Sequence, residues 1–529
     1  PYLLPEDLAE AATALGGEHD SLRSGSGTTL AARLPAHRME AWLEIVAEAV
    51  RRPGFRDLRA QVQAQLGLYA STTSNERGWQ VLQRELAEAT GLREDYETAS
   101  AYMSKVPLAD ARAFHDSFYR PNNTAIVLVG DIDAERALPL LEAHFGDWEP
   151  AAIPTRAPLD RRLPGGVVRR EIEDAGSPAV FIAWALPPAD APGYGDMLAL
   201  EEALGRHDGL GAALRSKVAD VWWKLTPYRS LEVRTIALPG QTLEQAEAET
   251  ISAIEAIAGD ALPASAWDAA LARAELSRLK WARRQTDLAE TIATSFIEGR
   301  PWRTVAGELT GAPTRERLIA AAAALLQRSR VVVHKRPGET WHVPVLELPG
   351  GRLPTRNGPP SEFVRAIVDA PVAPPEPRFL VAGSHYELRA RGNGRVITAE
   401  HDSPLAIASW VLPVGVDHDP FVCDAVRARM WAVRIPGVDF DAYCTNDLVW
   451  VDVVASAERF EREATFVFDW LERGMPSDSE IREYIERTLQ SRASRRMSTA
   501  WREPAFHAWA LRGEHGIDAH MPSDDALRR

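Results

Sequence analysis

The sequence predicts an α+β protein built from repeated homologous domains, and three observations indicate this class. Short apolar runs typical of strands alternate with longer segments that have helical periodicity. Residues 118–148 read as a strand, a loop and a helix. A motif of Ser-Pro, five residues, Trp, one residue and Leu-Pro begins at Ser177 and recurs at Ser403. This offset of 226 residues is too long for a solenoid repeat and indicates duplication of a whole domain.

Length and charge exclude several classes of protein. At 529 residues the chain is too long for one core, so we expect two to four domains. The net charge of −15 argues against nucleic acid as the main partner, because phosphate binding needs a basic face. The sequence contains no run of eighteen apolar residues, so no segment is predicted to span a membrane. Residues 1–7 lack the features of a signal peptide. We expect a soluble protein, either cytoplasmic or periplasmic. The sequence does not begin with Met, and the choice between the two compartments stays open.

The cysteines and histidines offer no evident metal site. The two cysteines, Cys423 and Cys444, exclude a disulfide scaffold and a Cys-rich zinc site, and we expect two buried thiols rather than a bond between them. None of the thirteen histidines begins a His-x-x-Glu-His or His-Glu-x-x-His pattern. His515 and His520 are five positions apart and would not share a helical face, so a surface loop is expected there. No Gly-rich phosphate loop follows a strand either.

The elements follow from local signals along the chain. A polar stretch covers residues 18–27, linkers cover 149–166 and 337–383, and the latter holds ten prolines. Helices are predicted at residues 5–16, 39–50, 58–68, 79–86, from 107 onward, and at 134–145 (with Pro139 inside), 193–205, 208–219, 242–258 and 264–298. Strands are predicted at residues 28–34, 124–129, 177–187, 330–334, 396–399 and 403–413.

The wording of residues 118–148 resembles a known family. Tyr-Arg-Pro-Asn-Asn at 119–123, an apolar strand, Gly130-Asp131, a helix and Phe-Gly-Asp-Trp at 145–148 are similar to the signature of the insulinase/pitrilysin family of zinc metallopeptidases. The resemblance implies domains with a mostly antiparallel sheet and helices on one face, arranged as clamshell halves joined by a linker.

The resemblance also implies domain boundaries and a family activity. A first peptidase-like domain, truncated at its N-terminus, would cover 1–150, a second domain 160–337, a Pro-rich linker 338–383, and a third domain, truncated at its C-terminus, 384–529. A fourth domain of such enzymes would be absent. Members act as zinc endopeptidases on peptides enclosed in a chamber.

The family's zinc ligands have no clear counterpart here. Members bind zinc through His-x-x-Glu-His and a Glu on a later helix, and the Glu of the motif is the general base. Gln65 stands where the later Glu would be, and a neutral amide is a weaker ligand than a carboxylate. Residues 425–429 occupy the equivalent of the zinc helix in the third domain, with every motif position replaced. We expect this chain to bind no zinc.

The family's substrate contacts map onto five residues. An Arg and a Tyr seven residues later hold the substrate in members, and Arg215 and Trp222 occupy these positions here. A Trp offers no phenolic hydroxyl to an oxyanion, and Arg215 could equally be a helix-surface arginine. Substrate adds as a strand to an exposed edge in the family. Ser24, Gly25 and Ser26 lie in the matching stretch, which composition alone reads as a flexible turn.

Two functions therefore stand side by side. The first is a zinc metalloendopeptidase acting on enclosed peptides. The alternative is a non-catalytic partner or peptide-binding subunit of a heteromeric peptidase of the same family. We expect peptide substrate and a homologous subunit, or a fourth domain, as partners, and neither nucleic acid nor membrane. Alone, this chain is expected not to hydrolyse peptides, since it shows no pair of zinc histidines.

Overall fold

Two compact units make up the chain. The first contains Pro1–Leu262 and Trp281–Phe379, and the second contains Pro263–Lys280 and Leu380–Arg529. The computed structural model describes residues 5–24, 27–53, 77–90, 106–155, 166–174, 176–186, 193–205, 210–225, 230–281, 284–297, 299–303, 311, 314–339, 361–371, 379–391, 394–415, 418–419, 421–432, 435, 437–445, 447–497 and 523–528.

Helices outnumber strands along the described chain. The helices are α1 (Pro5–Ala14), α2 (Met39–Arg51), α3 (Arg77–Thr90), α4 (Leu108–Phe118), α5 (Ala134–Phe145), α6 (Tyr194–Gly205), α7 (Ala212–Arg215), α8 (Leu243–Ala258), α9 (Ala264–Trp281), α10 (Gln285–Ile297), α11 (Arg315–Leu326), α12 (Glu362–Val368), α13 (Val422–Ala432), α14 (Ala457–Arg473), α15 (Asp478–Met497) and α16 (Asp524–Arg528). The strands are β1 (Glu18–Ser24), β2 (Gly27–Arg33), β3 (Val167–Asp174), β4 (Ala179–Ala185), β5 (Asp220–Leu225), β6 (Ser230–Ile236), β7 (Arg330–Pro337), β8 (Glu387–Arg391), β9 (Gly394–Thr398), β10 (Leu405–Leu412), β11 (Val438–Cys444) and β12 (Val449–Ser456).

A five-stranded sheet organises the first unit. Its strand order is β3-β7-β4-β6-β5, with β3 and β7 parallel and the other pairs antiparallel. Helices α6, α8 and α11, which belong to the same stretch of chain, pack on one face, and α3 covers the other. The central strand β4 is apolar throughout and buried on both faces, as a strand between two helical layers must be.

Helix α3 approaches the sheet unusually closely at Gly78. A Cβ atom at Gly78 would lie 2.2 Å from Cε2 of Phe181 on β4, so only glycine permits this packing distance. Val81, Leu82 and Leu86 of the same helix fill the core beneath it. The helix also carries Glu85, whose carboxylate accepts hydrogen bonds from Nε and Nη2 of Arg170 on β3.

The N-terminal part of the first unit forms a smaller layer. Strands β1 and β2 form an antiparallel hairpin, and the stretch expected to be merely polar is therefore the strand β1. Helices α1, α2 and α12 share a core that contains Leu8, Ile45 and Val364. Because α12 begins at the N-cap Ser361 and buries Val364, the expected linker of 338–383 contains a packed helix.

The second unit is built on the three-stranded antiparallel sheet β10-β12-β11, beside the separate hairpin β8–β9. Alternate residues of β12, including Val451 and Val453, form its core with residues of α13 and α14. A disulfide joins Cys423 at the start of α13 to Cys444 at the end of β11, with Cα atoms 5.9 Å apart. The expectation of two free thiols is therefore wrong, because the fold brings these two elements into contact.

Several local predictions are confirmed and others are wrong. Helix α5 has the predicted bounds, since Asp133 accepts a hydrogen bond from the Glu135 N–H as N-cap and Gly146 is the C-cap. The predicted strand at 124–129 has no ladder partner in the described part of the chain, so it is not a strand despite its β-branched composition. The helix predicted at 208–219 shrinks to α7. The helix predicted at 264–298 is two helices, α9 and α10, which belong to different units.

Candidate functional site

Trp222 lies on β5, which forms one edge of the five-stranded sheet. Strand β6 pairs with one side of β5, and no described strand pairs with the other side. Side chains alternate along β5, so Val221 and Trp223 are buried while Trp222 is 46% exposed. The edge thus places main-chain groups beside an exposed aromatic ring, a combination suited to binding an extended peptide.

Neighbouring side chains fix the position of the Trp222 ring. Trp79 of α3 packs edge-on against Trp222, with ring centroids 5.7 Å apart. The Nζ of Lys224 lies 3.8 Å from the centroid of the Trp79 ring and 5.3 Å from that of Trp222. An ammonium group over these ring faces is attracted by their negative electrostatic potential. The three side chains form a preorganised surface, so little conformational entropy remains to be lost on binding.

Beneath this surface lies the fully buried carboxyl of Glu232 on β6. Its Oε2 is 3.2 Å from Nζ of Lys224, and its Oε1 accepts hydrogen bonds from Ser230 Oγ at 2.8 Å and from Gln83 Nε2 of α3. Burial raises the pKa of Glu232, while the Lys224 ammonium and the hydrogen bonds act against that rise. Because the carboxyl is not exposed, it positions Lys224 and α3 and cannot itself contact a peptide.

Arg215 supports the same edge from below. Its Nη1 donates to the carbonyl of Val221 on β5 and its Nη2 donates to the carbonyl of Gly205, both at 3.0 Å. The guanidinium therefore ties the edge strand to the end of α6. That Arg215 also contacts substrate stays a prediction. The same holds for Trp222, although Arg215 in α7 hydrogen-bonds the strand that carries Trp222.

The other predicted site residues lie apart or outside the described residues. Ser24 is the last residue of β1 and pairs with Gly27 at the end of the hairpin. Gly25, Ser26 and Gln65 lie outside the described residues. Predictions for these positions therefore stay predictions.

The described residues do not fit the zinc that the family resemblance implies. Within the described ranges, no three His, Cys, Asp or Glu side chains converge in a group that could hold a metal ion. Residues 425–429 lie in α13, where Arg429 donates to the carbonyl of Leu471. Residues 425–429 pack within the second unit, and none of their side chains is a metal ligand.

Sequence reasoning missed a second polar cluster, between α8 and strands β3 and β7. It lines a groove of about 300 Å³. Arg169 Nη1 donates to both carboxylate oxygens of Glu247 at 2.6 Å, and His334 Nε2 lies 2.9 Å from Glu247 Oε2. Burial alone would raise the pKa of Glu247, but hydrogen bonds from His334 and Arg169 outweigh it, and the pKa is lowered. These groups satisfy one another and join helix to sheet.

The residues around Trp222 were also missed, because their partners are distant in sequence. Gln83 and Glu232 bond across 149 positions. The local sequence offered no clear signal either, because Ser230, Arg234 and Thr235 are also polar in β6 and Glu232 does not stand out among them.

The family follows from a match within this region. Residues 105–273, which include Arg215, Trp222 and Glu232, match the family model described as the peptidase M16 inactive domain. M16 is the insulinase/pitrilysin family. This part of the chain is therefore similar to that family. A comparison with curated proteins finds no match.

Solved structures of M16 proteins share the fold. A protease from Helicobacter pylori is 14% identical with a TM-score of 0.54, covering 62% of this chain and 84% of its own. An M16 inactive domain from Pseudomonas fluorescens is 16% identical with a TM-score of 0.51, covering 63% and 84%. Pitrilysin is 14% identical with a TM-score of 0.50, and the match covers 92% of this chain. The matched part of this chain spans 58% of the length of pitrilysin. Among the described helices, none is long and apolar enough to cross a bilayer.

Proposed function

We propose that this chain is a non-catalytic, peptide-binding member of the insulinase/pitrilysin family. The observation that carries the proposal is the exposed Trp222 on β5, whose outer edge pairs with none of the described strands, inside the range that matches the M16 inactive domain. A peptide would add beside β5 as a further strand, with main-chain hydrogen bonds giving affinity for many sequences. Trp222 would supply apolar contact area at low entropic cost.

Two further features support a binding role. These 529 residues contain no His-x-x-Glu-His motif, and Gln65 stands at the expected position of a Glu ligand. Glu232, a deeply buried carboxyl near the edge, is already bonded to Lys224, Ser230 and Gln83. It is therefore placed to support the surface and not to activate a water molecule. Hydrolysis, where it occurs, would fall to a homologous subunit.

The test compares binding, zinc content and turnover on one preparation of the chain. We expect saturable binding of an extended, proline-free fluorescent peptide, no zinc retained after dialysis, and no cleavage of a quenched peptide. About one retained zinc per chain, together with zinc-dependent cleavage, would establish the endopeptidase instead. Absence of peptide binding at any concentration up to about 1 mM, the weak end of specific affinities, would refute the binding role.

A further inference from the structure

Four N–H donors without an acceptor lie at one end of the five-stranded sheet. Among the described residues, the indole N–H groups of Trp184 and Trp223 and the Nε–H groups of Arg328 and Arg330 have no hydrogen-bond partner. Trp184 is fully buried and Trp223 is 3% exposed. A buried donor that gives up water without gaining an acceptor destabilises the fold, so an acceptor is expected at each group.

The sheet brings these four residues together. Trp184 lies directly opposite Arg330 in the β4–β7 ladder, and opposed side chains share one face about 5 Å apart. The rings of Trp184 and Trp223 stack with centroids 6.4 Å apart. Arg328 donates through Nη1 to the carbonyl of Ala185 at 3.0 Å, which anchors it beside the same end of β4.

Two positive charges, those of Arg328 and Arg330, lie at this end of the sheet. Neither Arg328 nor Arg330 pairs with a carboxylate of the described residues. Elsewhere in the same unit, Arg169, Arg170 and Arg317 each form an ion pair at 2.6 Å or less. Burial lowers the pKa of Arg328, and no acidic neighbour acts against it. Positive charge and N–H donors are therefore concentrated here, and no described residue supplies a matching acceptor.

We propose that Trp184, Trp223, Arg328 and Arg330 form a binding site for an oxyanion, either a carboxylate or a phosphate group. An oxyanion carries negative charge and only acceptors, which complements a set of donors and cations. Arginine suits this role because its guanidinium stays charged and presents several donors in one plane. Trp223 faces away from its neighbour Trp222, so these four donors lie on the sheet face opposite to Trp222. A free phosphate and the carboxylate end of a peptide are the two possible sources.

The experiment follows the two indole N–H signals by nuclear magnetic resonance. The full chain is labelled with ¹⁵N-tryptophan, and Trp184→Phe and Trp223→Phe assign the signals. Inorganic phosphate is titrated at constant ionic strength. One peptide is then titrated in two forms, first with a free C-terminal carboxylate and separately with a C-terminal amide. We expect a saturable downfield shift of both signals. A response to phosphate alone identifies a free anion, and a response to the free-carboxylate peptide alone identifies a chain terminus.

Variants decide whether the arginines bind the anion. Arg330→Gln and Arg328→Gln should each raise the dissociation constant about tenfold or more, as expected for the loss of a hydrogen bond to a charged group. Arg330→Lys should recover part of the lost affinity. Arg336→Gln is the matched control, since Arg336 lies on the same strand, is exposed and pairs with Glu171. The proposal is overturned when no probe shifts the indole signals, or when both arginine variants bind as the wild type does. The phosphate titration involves no peptide, so it stands or fails independently of the proposed function.

Discussion

Lys224 and Glu232 face each other across the β5–β6 ladder, with Nζ 3.2 Å from Oε2. Lys224 is half-buried beside two tryptophan rings, and Glu232 is fully buried. The pair therefore couples the exposed surface around Trp222 to the packing of α3 beneath it. Changing either residue tests both the stability of the sheet and the geometry of the candidate site.

Glu232 should make stability fall as pH rises. Burial raises its folded-state pKa above the ordinary value of 4.5, so the folded chain keeps this proton at pH values where the unfolded chain has lost it. Its stabilising contribution is full below the unfolded pKa and is lost as pH rises through the folded pKa. Urea unfolding from about pH 4 to about pH 8 measures this decline. Glu232→Gln should flatten it.

Glu316 provides the control of opposite sign. Hydrogen bonds from its own backbone N–H and from Thr314 at the start of α11 lower its pKa. Its contribution is therefore present above the unfolded pKa and is lost as pH falls. Glu316→Gln should leave the decline caused by Glu232 unchanged. An unaltered pH profile in Glu232→Gln would contradict our assignment.

Trp222→Ala should weaken binding of an extended peptide about tenfold or more, as loss of an aromatic contact at the centre of an interface does. The free energy of unfolding should fall by only about 1 kcal/mol, the usual worth of an aromatic pair such as Trp79–Trp222. Fluorescence polarisation and urea unfolding measure the two effects. Trp302→Ala is the matched control, because Trp302 is 55% exposed and lies outside the candidate site. Equal affinities for both variants would rule out Trp222 as a peptide contact.

Gly78→Ala should destabilise the first unit by about 1–3 kcal/mol, because the new methyl group overlaps the ring of Phe181 and α3 must move outward. Thermal unfolding measures the loss. Gly205→Ala serves as control, since a Cβ there meets no atom closer than 3.8 Å. If the two variants melt alike, α3 does not lie as close to β4 as described.

Reduction of the Cys423–Cys444 disulfide should destabilise the second unit by about 2–4 kcal/mol, because the cross-link restricts the unfolded chain. Denaturant unfolding with and without reductant gives the value. The Cys423→Ser, Cys444→Ser double variant should match the reduced wild type and should not respond to reductant. Two alkylated thiols in the denatured, unreduced protein would show that the bond does not form.

Local chemistry accounts for the elements that the sequence predicts well. The bounds of α5 follow from Asp133 and Gly146, which act on their own helix ends. The buried strand β4 follows from its continuous apolar run. Strands β5 and β6 were missed because their charged residues obscure the pattern, and Lys224 and Glu232 neutralise each other only once the strands have paired.

The candidate site was likewise predictable only in part from the sequence. Trp222 was identified through its place in a family motif, while Trp79 comes from a helix with no local signal that it packs there. The predicted strand at 124–129 fails for a related reason. Its composition favours extended backbone, but a strand also needs a partner, and pairing is a property of distant chain segments.

The place of β7 in the sheet has a consequence for protein synthesis. Arg336 on β7 pairs with Glu171 on β3 across 165 residues. At translation rates of about 5–20 residues per second, β3 and β4 leave the ribosome roughly ten to thirty seconds before the strand that lies between them. The apolar β4 stays without its second partner throughout that interval. An apolar strand with an unpaired edge tends to pair with other chains, so β4 is an aggregation-prone segment of the nascent chain until β7 emerges.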